Sequence, residues 1–192
     1  MPTPVVLHCC CAPCSSAILE WMLQNDYRPV VYYCNPNIYP QEEYLIRRNE
    51  ISRYATKLQL EIVEDDYRHE PWLQAVNGLE AAPERGPRCL ECFKYRLLST
   101  ARFAQNRGIG LFTTTLASSR WKSLEQINQA GAWAAAQVPG TDFWDKNWRK
   151  GGLQERRNEL LALNGFYNQQ YCGCEFSMQK NSLKKQDRPS SL

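Results

Sequence analysis

The sequence predicts an α/β domain built on a parallel sheet flanked by helices. Three observations carry this. Short apolar or β-branched runs alternate along the chain with longer stretches of helical periodicity. The runs are bounded by turn residues. A chain of 192 residues, 43% of them hydrophobic, is also long enough to bury one sizeable core.

The elements follow in order. Val5–Leu7 is a short apolar run and the first strand. Ser15 or Ser16 is placed to cap the next helix, in which Ile18, Leu19, Met22 and Leu23 share one stripe. Pro29–Cys34 is rich in β-branched and aromatic residues, reads as the second strand, and ends at the turn signal Asn35-Pro36-Asn37. Gln41 to Gln59 turns helical, with Tyr44, Ile51, Ala55 and Leu58 on its stripe and Glu43 paired to Arg47 on its outer face. Leu60–Val63 is the third strand. Glu70–Arg88, rich in Pro, Gly and Glu, reads as irregular. A helix from about Cys89 to Asn106 stops at Gly108, and Ile109–Thr115 is the fourth strand. Helices then cover Ser123–Val138 and Leu153–Leu163. With no internal repeat and no long linker, residues 1–179 read as a single domain, followed by a polar tail over 180–192.

Bulk composition narrows the function. The net charge of +3 permits a nucleic-acid partner without demanding one. No window approaches eighteen uninterrupted apolar residues and the N-terminus lacks a secretory pattern, so the expectation is a cytoplasmic protein with no membrane partner. Neither GxGxxG nor GxxxxGK[ST] occurs, which removes support for ordinary nucleotide binding. With only His8 and His69, no Ser-His-Asp arrangement can be argued.

Cysteine is the outlying residue. There are nine, and eight form three groups: Cys9, Cys10, Cys11 and Cys14 after the first strand; Cys89 and Cys92 as a CxxC at a helix start; Cys172 and Cys174 as CGC. Clustered cysteines in a reducing compartment point to metal or redox chemistry. In a parallel α/β sheet the residues past the strand ends gather at the ligand-binding edge, where the first group lies and the others could reach it. The helix N-terminus and nearby Arg85, Arg88 and Lys94 should help Cys89 and Cys92 ionise. Four thiolates suffice for one iron–sulfur cluster or one zinc. The surplus suggests a second metal, a redox dithiol able to close to a disulfide, or spectators. Cys34 in its apolar strand reads as core packing, and Cys9 as filler on the opposite face from Cys10. His8 enters the cysteine turn, either as a proton donor or as a satisfied core residue.

Six segments in order, HCCCAPCSS, CNPNIYPQEEYLIRR, RCLECFKYRL, FTTTLASSRWKS, WDKNWRKGG and YCGCEFS, together resemble the QueH-type epoxyqueuosine reductases over about Val5–Ser177. The resemblance implies a fold related to the nucleotide α-hydrolase (HUP) superfamily, with the phosphate loop replaced by cysteines. It implies reduction of epoxyqueuosine to queuosine at the tRNA wobble position, the last step of queuosine biosynthesis. It also implies a [4Fe–4S] cluster, a neighbouring mononuclear iron and a low-potential electron donor left unidentified. By position, the ligands come from Cys10 and Cys11, Cys89 and Cys92, and Cys172 or Cys174. Cys14, where some relatives carry Asp, is a candidate ligand of the second iron.

The chemistry fits. Removing an epoxide oxygen takes two electrons and two protons, and a cluster delivers electrons singly. A second iron with an open position could act as a Lewis acid on that oxygen. Asp145, Lys146, Arg149, Tyr171 and His8 are candidate proton donors. Arg47, Arg48, Arg53, Lys146, Arg149, Lys150, Arg156 and Arg157 are candidates for a basic tRNA-facing rim, with solvated helix faces as the plain alternative. Trp144, Trp148 and Tyr39 could stack on an anticodon base or simply pack. Two other functions compete: a tRNA sulfur-transfer enzyme of the same superfamily, and a zinc-stabilised binding module.

Overall fold

Five short strands lie side by side in the order β3-β2-β1-β4-β5, every neighbouring pair parallel. This is seen in a computed structural model that describes residues 1–178. The strands are β1 (Thr3–His8), β2 (Tyr27–Tyr33), β3 (Ile62–Glu64), β4 (Leu111–Thr114) and β5 (Asp142–Phe143). The helices are α1 (Ala12–Gln24), α2 (Gln41–Lys57), α3 (His69–Ala75), α4 (Pro87–Asn106), α5 (Leu124–Gln137) and α6 (Leu153–Asn164). A 3₁₀ turn, Thr115–Ser118, follows β4. Parallel strands require crossovers, and helices on the faces bury the sheet on both sides. That is why β1, in the middle, reads Val-Val-Leu-His with all four residues buried.

Helix α1 packs on α2 and α6, whereas α4 packs on α5 and α3. The chain leaves β1 towards β2 on one side and reaches β4 on the other. The switch-point crevice therefore opens between the C-terminal ends of β1 and β4. The cysteine turn Cys9–Cys11 follows directly from β1 into that crevice.

Three sequence expectations are corrected. The first helix is not capped by serine: it starts at Ala12 with Cys11 as its extended N-cap, and Pro13 sits in the first turn, where its missing N–H costs nothing. Ser15 lies inside the helix and donates from Oγ to the Cys11 carbonyl at 2.7 Å. The region 70–88 is not wholly irregular, because α3 occupies its start and buries Trp72. Two helical turns are too few to register as periodicity. The strand β5 was also unforeseen: two residues leave no pattern to read, yet Asp142 N donates to Gly110 O at 2.7 Å and Trp144 N to Phe112 O at 2.8 Å. Its Phe143 lies so close to α5 that a Cβ at Gly131 would meet that ring at 2.3 Å. The polar tail expected from residue 180 lies outside the described residues. No described helix is long and apolar enough to cross a membrane.

Candidate metal centre

Cys10, Cys11 and Cys14 bring their sulfurs within 4.8 Å of one another. The turn after β1 presents the first two and the opening of α1 the third. Cys10 is held by the 3₁₀ turn after β4: its N–H donates to Thr115 Oγ1 at 3.3 Å, and its sulfur lies 3.6 Å from the same hydroxyl. Beneath the turn, His8 is fully buried with both ring nitrogens engaged, Nδ1 with Thr114 Oγ1 at 2.7 Å and Nε2 with Cys34 O at 2.9 Å. Because a carbonyl can only accept, the network assigns the proton to Nε2. Burial, with Arg96 nearby, lowers the His8 pKa to about 3. His8 does not line the cavity described next, and it holds the strand end in place.

A cavity of about 880 Å³ opens over the turn. Cys10 and Cys14 line it from one side, Cys89 from the start of α4, and Cys172 from the C-terminal segment. All three cysteine groups therefore reach one cavity. Cys92 and Cys174 are buried in a small cluster with Trp72 and Val76. Among the described residues only the N-terminal trio packs its ligand atoms all within 4.8 Å. The nine cysteines are free thiols, so the expected disulfide is not formed here. Cys34 is buried with its thiol on Asp65 Oδ2 at 3.2 Å, and Cys9 is fully buried; burial drives both thiols up.

The thiols fall into unequal protonation states. Hydrogen bonds from Cys11 and Cys14 hold Cys10 well below the ordinary thiol value, and Lys122 and Arg96 add to this. The same bonds push Cys11 well up and, for the bond to Cys10, Cys14 up to about 11. Of the three, Cys10 is therefore the sulfur whose anionic form is favoured. Cys89 and Cys92 do not ionise more readily, contrary to expectation: burial raises both, and mutual repulsion with Cys172 adds to it. Burial and Cys172 likewise raise Cys174 to about 11. The helix N-terminus loses here to desolvation of the thiolate.

Three residues at this site escaped the sequence reading. Burial alone would lower Lys122, yet Cys172, Cys10 and Cys14 together raise it. Arg96, 2% exposed, reaches Asn35 Oδ1, Cys34 O and the Cys92 sulfur. Gln169 Nε2 donates to Cys11 Sγ at 3.2 Å. Arg96 was findable as the residue one helical turn after Cys92, and Lys122 as the cation of FTTTLASSRWKS.

The remaining expected site residues scatter. Arg149 and Tyr171 line the cavity. Arg149 donates to the carbonyls of Ser119 and Lys122. Tyr171 donates to Tyr39 O, and burial lifts its phenol to about 12. Asp145 and Lys146 are not in the lining; Lys146 Nζ sits 3.9 Å from the Trp21 ring centre, with Trp144 and Trp148 beside it. Trp148 is fully buried, so its ring packs rather than stacks on a ligand. Of the nucleic-acid candidates, Arg47 is 2% exposed and faces inward, salt-bridged to Glu43. Arg48 pairs with Glu64, and Arg156 with Glu20 and Glu159. Lys150 is exposed. The expected Arg149 and Arg157 do line the cavity, joined by Arg85, Arg120 and the inward Lys122.

Fold and site together define a doubly wound α/β protein whose switch point gathers cysteines that could hold a metal. The chain belongs to the epoxyqueuosine reductase QueH family, whose profile matches residues 5–180. It is 41% identical over 174 residues to the epoxyqueuosine reductase QueH of Acinetobacter baylyi, covering 91% of this chain and 80% of that protein. Against the protein of that name from Haemophilus influenzae it is 39% identical, covering 95% of this chain and 75% of the relative. Against that of Thermotoga maritima it is 33% identical, covering 91% and 90%.

Proposed function

We propose that this chain is an oxidoreductase that reduces epoxyqueuosine, carried at the wobble position of tRNA, to queuosine. The observation that carries the reading is the convergence of cysteines from residues 9–14, 89–92 and 172–174 on one cavity at the switch point. The sulfur-transfer and zinc-module readings have no comparable support from the relatives.

The donor set fits an iron–sulfur centre. The clustered ligands are thiols, soft donors that select iron–sulfur clusters or zinc, and buried cations stand ready to offset their charge. One of Cys10 and Cys11, with Cys89, Cys92 and one of Cys172 and Cys174, would hold the cluster, and the other member of each pair with Cys14 would hold a second iron. When bound, a centre of this kind would relay, one at a time, the two electrons that epoxide deoxygenation draws from an external donor. The overall balance is epoxide plus two electrons and two protons to alkene plus water.

The residues of the chain do the rest. The cavity is roomy enough for a nucleoside, and Leu116 and Phe93 give it an apolar side. Lys122 and Tyr171 line it and are the candidate proton donors. Arg149 ties down the backbone at Ser119 and at Lys122 itself, which helps set where the Lys122 ammonium is held. The rim arginines meet the RNA backbone, so affinity should fall steeply with salt. An external one-electron donor and a cytosolic location, where thiols stay reduced, complete the reading.

The test is anaerobic purification, quantification of iron and acid-labile sulfide, and incubation with a strong reductant and tRNA bearing epoxyqueuosine. Conversion to queuosine, read by nucleoside mass spectrometry and dependent on iron, is expected. A colourless zinc-only protein that converts nothing would overturn the reading.

A further inference from the structure

We propose that Trp121 is a stacking platform for an unpaired nucleobase at the cavity mouth, which makes loop 119–122 an RNA-reading element. The inference rests on the tRNA reading above and extends it to residues that reading does not use. Trp121 lines the cavity and is 70% exposed, the most exposed aromatic side chain among the described residues. Large apolar rings are usually at least half covered, so a bare indole at a site mouth is informative.

The loop is held rigid while the ring is left free. Arg85 donates from Nε to Trp121 O at 2.9 Å and from Nη2 to Arg120 O at 3.1 Å. Arg149 Nη2 donates to Ser119 O at 2.6 Å and Lys122 O at 2.8 Å. Two arginines from distant parts of the chain thus bind four consecutive carbonyls. Arg85 does so from a left-handed backbone (φ 64), stabilised by Gln126 Nε2 donating to its carbonyl at 2.9 Å. A pinned backbone means that stacking on the ring costs little ordering entropy. Lys122 turns towards the thiols, while Trp121 stands out at the rim.

The surroundings name the ligand. The Arg120 guanidinium lies 5.0 Å from the Trp121 ring centre, and Arg85, Arg149 and Arg157 share the lining, where Glu84 is the sole carboxylate. Aromatic faces among arginines bind unpaired RNA, the base on the ring and the phosphates on the cations. The anticodon loop is the part of a tRNA that offers unpaired bases, and the one presented beside the modified nucleotide would meet Trp121.

The experiment measures binding of an unmodified, fluorescently labelled anticodon stem-loop RNA, and of a fully paired duplex of similar length, to the metal-loaded protein. Trp121→Ala should weaken stem-loop binding about 5–150-fold, the range set by one lost base stack, and Trp121→Phe far less. Duplex binding should barely change. Arg157→Ala should instead flatten the salt dependence by about one phosphate contact. A 2-aminopurine in the loop should be quenched by the native protein and not by Trp121→Ala. Equal stem-loop affinity of native and Trp121→Ala proteins, equal loss on duplex, or no RNA binding at all overturns the platform. A protein that binds stem-loop through Trp121 yet fails to reduce epoxyqueuosine would instead sink the functional reading, so the two failures are distinguishable. Thermal melting of Trp121→Ala checks the fold.

Discussion

Arg47 Nη1 donates to the Cys172 carbonyl at 3.2 Å, a bond that spans 125 residues and ties α2 to the C-terminal cysteine segment. Its Nη2 reaches Tyr171 O at 3.3 Å, and Glu43 neutralises it. Gly173 lies so close that a Cβ there would sit 3.2 Å from Arg47 Nη1, and Gly173 O accepts from Tyr39 N at 2.8 Å. The guanidinium is a bracket for one wall of the cavity.

Removing the bracket should loosen the metal. Arg47→Ala is expected to weaken iron binding about 10–100-fold, as loss of a supporting contact behind a ligand does. It should also destabilise the fold by about 3–5 kcal/mol, because the buried Glu43 loses its counter-charge and keeps only the Tyr167 hydroxyl as a partner. Arg47→Lys should restore charge but not both carbonyl bonds, and so recover only part of the iron. Iron per chain and urea unfolding measure the two effects separately.

Substitution within the N-terminal trio should separate ligands from spectators. Cys14→Ser and Cys11→Ser are expected to lower iron per chain. Cys34→Ser, whose thiol already bonds Asp65, should leave iron content unchanged. A Cys34→Ser protein without iron would contradict the assignment of that residue to the core.

Thiol reactivity in the metal-free protein should be uneven. Cys10, held as thiolate, should be alkylated by iodoacetamide at neutral pH ahead of Cys9 and Cys34, which burial keeps protonated. Lys122→Met should slow Cys10 labelling, since its charge favours the thiolate. Peptide mass spectrometry reads the order.

Acid should weaken the fold through His8. Its pKa falls from 6.5 to about 3 on folding, so between these values the unfolded chain binds the extra proton. The stability is fully present above pH 6.5 and is lost as pH falls towards 3, by up to about 1.4 kcal/mol per pH unit. His8→Gln should be less stable at neutral pH but flatter from pH 6.5 to 4.5. Urea midpoints across that window, with parallel slopes for both proteins, would refute the assignment.

What could be read from the sequence followed from local pattern. The first four strands and the long helices announced themselves through apolar runs and stripes. The three cysteine groups were visible as short-range spacings, and parallel-sheet logic predicted where they meet. What stayed hidden is long-range. Arg47 looked like a surface partner of Glu43 because spacing along a helix is local, whereas its burial depends on a segment arriving 124 residues later. Lys146 looked like a rim cation, and only the assembled rings of Trp21, Trp144 and Trp148 show where it goes. The thiols of Cys89 and Cys92 lie at a helix start, as predicted, but burial outweighed that position.

The bracket from Arg47 to Cys172 also sets a timetable. On the ribosome the sheet strands and α1–α5 emerge well before Tyr171 to Cys174, so the scaffold can close early while its last thiols are still being synthesised. Completion of the cysteine set would then be a late event, and a chain arrested ahead of Tyr171 would have its sheet and its N-terminal trio but lack one wall of the cavity.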